Sequence, residues 1–310
     1  MDIKTFKDHF SNYSQLKETA DKLQYVGSRI HWKGLIGSSK PILASALASQ
    51  VPGHHLFILE DKEKAAYFLN DLQGLYPEAS NILFYPASYR TPYQIEGTDN
   101  ANVVARAEVL DKVNKGNNTW IITYPKALVE KIPTKKRLSE HTFKIEKGKE
   151  YSIDFLTEVL HEYGFEVVDF VYEPGQFSVR GGIVDVYSFS NDYPFRIEFF
   201  GDEVDTIRTF DPVSQLSMHN HEFFSIIPNV QGSLIEEING SLLDFIGEHA
   251  SLWLASNQLV ESTLKNEFEK ATKIFSDLED SPVKRGKPSE LFFHKAEWTK
   301  QIENFSTIEF

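Results

Sequence analysis

Among the residues that could do chemistry, the most suggestive run is Gly34-Leu-Ile-Gly37-Ser-Ser39-Lys40-Pro41, set between a strand-like run and a helix-like one. A phosphate-binding loop has the form G-x-x-x-x-G-K-[ST]. Its glycines let successive backbone N–H groups face the phosphates, its lysine neutralises them, and its hydroxyl holds magnesium. Gly34, Gly37 and Lys40 fit that use, but Ser39 stands where the second glycine belongs and Pro41 where the hydroxyl belongs. Proline supplies neither a hydroxyl nor a backbone N–H, although it sits comfortably in a first helical turn. The acidic strand end that holds magnesium in such enzymes is missing as well, because SLWLASN closes on Ala255, Ser256 and Asn257. These two losses predict a degenerate nucleotide site, no catalytic residue and no ATP hydrolysis.

The other candidate chemistry is binding. From Pro174 to Phe210, four short runs of alternating, β-branched and aromatic residues are broken at Pro174-Gly175, Gly181-Gly182, Ser190-Asn191-Asp192 and Gly201-Asp202, the signature of a β-meander. Alternation along a strand turns Phe195, Ile197 and Phe199 to one face and Arg196, Glu198 and Phe200 to the other. With Gly201-Asp202 as a two-residue hairpin loop, Phe200 falls opposite Glu203, Glu198 opposite Asp205 and Arg196 opposite Ile207. On the preceding run Phe177 and Val179 face the core, and Gln176, Ser178 and Arg180 face out. An aromatic flanked by arginines has the composition of an interface hot spot. A lone outward phenylalanine is also ordinary on protein surfaces, so the pattern leaves both readings open.

The acidic residues Glu198, Glu203 and Asp205 read as a solvated rim, since a nuclease metal site on this ribbon would lack a nearby histidine. His54 and His55 precede a buried strand without a spaced second histidine and predict no metal site.

Around these residues the chain falls into two styles. Leu16, Ala20 and Leu23 share a helical face. Arg29 to Leu35 reads as a strand, and a helix after it buries Ile42, Leu43, Ala46 and Leu47. The strands HLFILE, NILFY and TWIIT then alternate with a helix capped by Asp61 and one carrying Val103, Ala107, Leu110 and Val113. Strand and helix in alternation predict a parallel sheet covered by helices. After a Lys-rich stretch from Pro133 to Lys149, a helix starts near Ser152, buries Phe155, Leu156, Val159 and Leu160, and stops at Gly164. FEVVDFVY and the meander follow, an antiparallel α+β pattern. From about Phe223 the α/β style returns, with a short helix capped by Ser241, the strand SLWLA and a helix from Gln258 to Lys270.

Composition narrows the class. The 310 residues are 41% hydrophobic and 25% charged, which is ordinary for a globular protein. The absence of cysteine removes disulfides, thiolate metal sites and cysteine nucleophiles, and fits a reducing cytosol. A formal charge of −13 argues against broad affinity for a phosphate backbone, and the short basic clusters Lys135-Lys136-Arg137 and Lys284-Arg285-Lys287 read as solvated loops. The charged first residues do not form a signal peptide, and no apolar run approaches the roughly 18 residues that cross a bilayer. The expectation is a cytoplasmic protein with no membrane contact.

The run PGQFSVRGGIVDVYSFSNDYPFRIEFFGDEVDTIRTFDPVSQLS resembles the segment shared by the excinuclease component UvrB and the bacterial transcription-repair coupling factor. KGLIGSSK is similar to that family's phosphate loop in decayed form, and FYPASYRTPY to the aromatic stretch after its third strand. UvrB keeps an intact loop and carries a long aromatic β-hairpin after the FYP-like stretch. Here only about fifteen residues separate Tyr85 from the helix around Val103. The resemblance therefore implies the coupling factor's N-terminal module, a decayed P-loop NTPase/helicase-like α/β domain interrupted by an inserted α+β domain.

Its expected boundaries are 1–141 and 227–310 for the α/β domain and 142–226 for the insertion. The implied activity is non-catalytic binding of UvrA, the damage-recognising protein, with no cofactor. Arg180, Arg196 and Phe200 match the positions implicated in gripping UvrA, and Glu198 and Ser178 share their face. The whole coupling factor is implied to be an ATP-dependent DNA translocase that engages RNA polymerase and DNA through regions not found in this chain, which reads as a fragment. The alternative is a nucleotide-dependent DNA repair enzyme of the UvrB/helicase type, motivated by Gly34, Gly37 and Lys40.

Overall fold

Buried apolar runs and well-placed caps account for most of the architecture in the computed structural model, which describes residues 10, 13–88, 92–93, 100–116, 118–228, 240–278 and 286–310. The strands in chain order are β1 Arg29–His31, β2 His55–Ile58, β3 Ile82–Phe84, β4 Trp120–Thr123, β5 Phe143–Glu146, β6 Glu166–Val167 and β7 Gln176–Arg180. They continue as β8 Ile183–Val186, β9 Phe195–Phe200, β10 Glu203–Phe210, β11 Ser217–His221, β12 Phe223–Ile226, β13 Ser251–Leu254 and β14 Ser306–Glu309. The chain divides into two compact units, one of residues 1–98, 109–131 and 239–310 and one of residues 99–108 and 132–238.

The first unit is an α/β layer around a parallel six-stranded sheet of order β1-β14-β13-β2-β4-β3. Its central strands β2, β4 and β13 are buried along their whole length, as continuous apolar runs in a covered parallel sheet require. Helix starts follow from side chains that accept otherwise unpaired N–H groups. Asp61 accepts from Lys64 N–H at 2.8 Å, and Ser241 with Asp244 closes a capping box. The first strand is shorter than expected, ending at His31. In the helix after it, Ile42 and Leu43 are only half-buried, and Pro41 and Ala44 to Ala48 make up the covered face.

The second unit is α+β. Its antiparallel sheet has the order β11-β10-β9-β8-β7-β6, with only β6 and β7 parallel. Leu156, Val159 and Leu160 of the helix Ile153–Glu162 pack with Phe177, Val184, Val186, Phe195, Ile197, Val204 and Ile207 from the sheet's inner face. Phe155, expected in that core, is half exposed. The segment after Phe223 is not yet a return to the α/β layer. As β12 it pairs antiparallel with β5, and Phe224 and Ile226 join the same core, Phe224 stacked 4.5 Å from Phe195. Residues 229–239 beyond it lie outside the described residues, as do parts of the Tyr/Pro-rich connection (89–91 and 94–99) and of the second basic cluster (Lys284, Arg285).

One buried polar group gives the first unit a measurable pH response. His55 is buried in the central strand, where Nδ1 accepts from the Trp253 indole N–H at 3.2 Å and Nε2 donates to the Val51 carbonyl at 2.9 Å. Both ring nitrogens are occupied only in the neutral form. Burial lowers the imidazole pKa to about 4. Between about pH 6.5 and 4 the unfolded chain therefore takes up a proton that the folded chain refuses, and stability falls as pH falls. Urea titrations should show a loss approaching roughly 3 kcal/mol across that window. His55→Gln should flatten the dependence between pH 6.5 and 5; a slope unchanged in that variant contradicts the assignment.

Candidate functional site

The outer face of the antiparallel sheet is built by two tight hairpins. Gly181-Gly182 joins β7 to β8, pairing Arg180 with Ile183, and Gly201-Asp202 joins β9 to β10, pairing Phe200 with Glu203. In each loop the first glycine has positive φ, 60° at Gly181 and 63° at Gly201, as a type II′ turn requires. A Cβ on Gly182 would also meet the Phe199 carbonyl at 3.0 Å.

Beyond the second hairpin the expected register holds for one pair only. A bulge between Val204 and Thr206 shifts β10 so that Thr206, not Asp205, lies opposite Glu198, and Arg208, not Ile207, lies opposite Arg196. Two core positions explain the shift. Val204 and Ile207 are three residues apart and both belong to the inner core, which an unbroken two-residue period cannot satisfy. The bulge sits where the edge of β10 away from β9 changes partner. Val204 exchanges hydrogen bonds with the 148–149 backbone, and from Ile207 onward the partner is β11.

The outward side chains then form rows across the sheet. Ser178, Asp185, Arg196 and Arg208 make one; Arg180, Ile183, Glu198 and Thr206 make the next; Phe200 and Glu203 lie at the hairpin end. Asp185 is the residue of this face that strand alternation does not single out. Its carboxylate has no solvent exposure and is held by both arginines. Arg196 grips it with two parallel bonds, Nε to Oδ1 at 2.7 Å and Nη2 to Oδ2 at 2.9 Å, and Arg180 Nη2 donates to Oδ2. Hydrogen bonding to Asp185 raises the Arg196 pKa further above its already high value, so this charge is permanent. Arg196 also lies over the Phe210 ring at 4.4 Å and donates to the Gln215 carbonyl at 3.3 Å; Gln215 itself has φ 61° and ties its amide to the Val171 and Pro212 carbonyls. Arg180 stacks over Phe170 at 5.0 Å.

The second carboxylate on the face is also occupied. Glu198 accepts from Arg208 through one oxygen and from Thr206 Oγ1 at 2.9 Å through the other. Three guanidiniums thus meet two carboxylates, leaving the cluster one positive charge. Ser178 points outward as expected but is buried beside Asp185, and its hydroxyl has no hydrogen-bond partner among the described residues. Val179, expected in the core, is partly exposed near the hairpin end. Phe200 is 83% exposed. The face is therefore a packed ionic network with one unsatisfied apolar side chain at its end, rather than the solvated charged surface that alternation alone suggests.

In the first unit, Gly34 and Gly37 both have positive φ, 82° and 57°, and space for a Cβ is open at each. The loop closes on itself: Ser39 Oγ accepts from the Ile36 N–H and donates to the Ile36 carbonyl, both at 2.8 Å. Lys40 lies 3.6 Å from the Glu60 carboxylate and 5.4 Å from the Phe310 ring centre, and Pro41 is buried. The strand next to β1 is β14 rather than β13. At its end, Glu309 accepts the Asn257 N–H at 3.2 Å, a carboxylate that inspection of SLWLASN alone does not reveal. Among the described residues no three His, Asp or Glu side chains gather as metal ligands, and no helix is long and apolar enough to cross a membrane.

Comparison with known proteins gives the segment that carries this face a family match. Residues 143–231 match the UvrB interaction domain. The chain is 30% identical over 195 residues to the transcription-repair-coupling factor of Bacillus subtilis, covering 63% of this chain and 16% of that protein. It is 31% identical over 180 residues to the transcription-repair-coupling factor of Borreliella burgdorferi, covering 57% and 16%. To the UvrABC system protein B of Streptococcus uberis it is 28% identical over 209 residues, covering 63% and 31%. Over residues 143–231 the chain is similar to the UvrB interaction domain, and it is similar to the transcription-repair-coupling factors, of which it spans about a sixth of the length.

The network makes a stability prediction that separates its members. Removing one partner of a buried ion pair leaves an uncompensated charge, so Arg196→Ala should cost about 3 kcal/mol in urea unfolding. Phe200→Ala, at an exposed position, should stay within about 0.5 kcal/mol of wild type. Equal losses in the two variants contradict this arrangement.

Proposed function

We propose that this chain is a non-catalytic protein-binding module of the transcription-repair-coupling kind, whose antiparallel sheet recruits UvrA for nucleotide excision repair at stalled transcription. The observation that carries the reading is Phe200, exposed at 83% beside an arginine cluster held in place by Asp185, within the segment that matches the UvrB interaction domain. A rigid aromatic anchor next to guanidiniums fixed before contact lowers the ordering cost of association. In this reading the α/β layer is a decayed P-loop scaffold, the domains are 1–141 with 227–310 and the inserted 142–226, and the module works in the cytoplasm without a cofactor. RNA polymerase and DNA would be engaged by parts of a longer protein outside this chain.

A second reading, an active nucleotide-dependent repair enzyme, draws on the left-handed Gly34 and Gly37 before Lys40. Against it, Lys40 is engaged with Glu60 and Phe310, and Pro41 supplies no hydroxyl for magnesium.

Both readings are testable with purified components. UvrA should bind the chain, and Phe200→Ala should weaken binding about thirtyfold, the ~2 kcal/mol typical of a hot-spot aromatic. Binding that survives Arg180→Glu, Arg196→Glu and Phe200→Ala together would sink the proposal. Calorimetry with millimolar Mg-ATP should show no heat of binding, whereas a saturable isotherm would favour the enzyme.

A further inference from the structure

Arg180 and Arg196 look equivalent in sequence, but their surroundings differ. Arg196 is committed: two bonds to Asp185, one to the Gln215 carbonyl, its plane against Phe210, and its side chain only 15% exposed. Arg180 donates through Nη2 alone among the described residues, and its side chain is 36% exposed with Phe170 under the guanidinium. A guanidinium presents five donors in a planar fork, so Arg180 keeps its remaining N–H groups for a further acceptor. Stacking on Phe170 and the bond to Asp185 fix the direction in which they point. Glu198, the other carboxylate of the network, is paired with Arg208 and accepts from Thr206.

We propose, resting on the UvrA-binding reading above, that Arg180 is the guanidinium that meets the partner while Arg196 is a positioning residue acting through Asp185. The partner then presents a carboxylate to the free edge of Arg180. An apolar pocket for Phe200 lies beyond it, displaced from the Arg180 site by roughly 7 Å along the strands and by two strand spacings, about 10 Å, across them. The buried Asp185 neutralises one of the two guanidinium charges, so the pair offers a single aimed positive charge rather than a diffuse basic patch. Arg196 holds Asp185 bidentately and thereby keeps that carboxylate where Arg180 needs it.

The test is a mutant cycle on UvrA affinity with the whole chain. It uses Arg180→Ala, Arg196→Lys, Asp185→Asn and the two double variants that include Arg180→Ala, each shown by its urea midpoint to be folded at the assay temperature. Arg180→Ala should weaken binding at least tenfold, leave the urea midpoint near wild type, and reduce the salt dependence of affinity. Arg196→Lys and Asp185→Asn should each lower the midpoint and weaken binding. Added to Arg180→Ala, neither should weaken binding further. If Arg196→Lys does not fold, the isosteric Asp185→Asn carries the same comparison. Losses that multiply in the double variants would make Arg196 a direct contact and overturn the assignment. An Arg180→Ala chain that binds like wild type overturns it as well. In both cases the UvrA-binding reading stands, whereas a wild-type chain that does not bind UvrA overturns that reading and this assignment together.

Discussion

A carboxylate with no solvent exposure in the middle of a sheet face has to be neutralised by groups that can reach it. Around Asp185 those groups are the two guanidiniums of the neighbouring strands. Much of the local structure follows from that requirement. Arg196 can reach Asp185 bidentately because β8 and β9 place the two directly opposite, and that register also sets the core pairs Val184–Ile197 and Val186–Phe195 on the other face. Phe210 and Gln215 then close over the remaining side of Arg196. A second, smaller apolar cluster of Val171, Tyr187 and Phe210 fills the covered end of the outer face. The sheet therefore has a core on its inner face and a partly closed outer face. The hairpin end, with Phe200, is left open.

Two polar atoms in this network, the Ser178 hydroxyl and Arg208 Nε, are buried without partners among the described residues. Each carries a desolvation cost of about 1–3 kcal/mol. The interior ordering of Asp185 and the arginines is maintained against that cost, which fits a face arranged for contact rather than for stability. A buried ion pair is weak evidence for stability but can hold charged groups in one arrangement. Here the arrangement leaves the free edge of Arg180 and the Phe200 ring facing outward.

Several elements can be read from residue pattern alone, because each rests on a local signal. The parallel strands β2, β3, β4 and β13 are apolar runs, helices start at Asp61, Ser152 and Ser241, whose side chains cap them, and both hairpin loops begin with a glycine. What escapes the pattern depends on distant partners. Asp185 looks like a solvated residue in an alternating strand until Arg180 and Arg196 are seen on its two sides. The bulge at Asp205 is invisible to strict alternation, although the spacing of Val204 and Ile207 points to it. The pairing of β12 with β5 joins residues some eighty positions apart in sequence. The Glu60 carboxylate beside Lys40 escapes as well, since it follows β2, a strand that is not the neighbour of β1.

The central claim is that the hairpin end of this sheet is where the chain meets UvrA. Hydroxyl-radical footprinting tests it directly, because Phe200 reacts as a free aromatic in the isolated chain. With saturating UvrA, oxidation of Phe200 should fall severalfold while exposed residues of the first unit such as Tyr67 and Ile36 keep their rates. An unchanged rate at Phe200 in a fully formed complex would contradict the account.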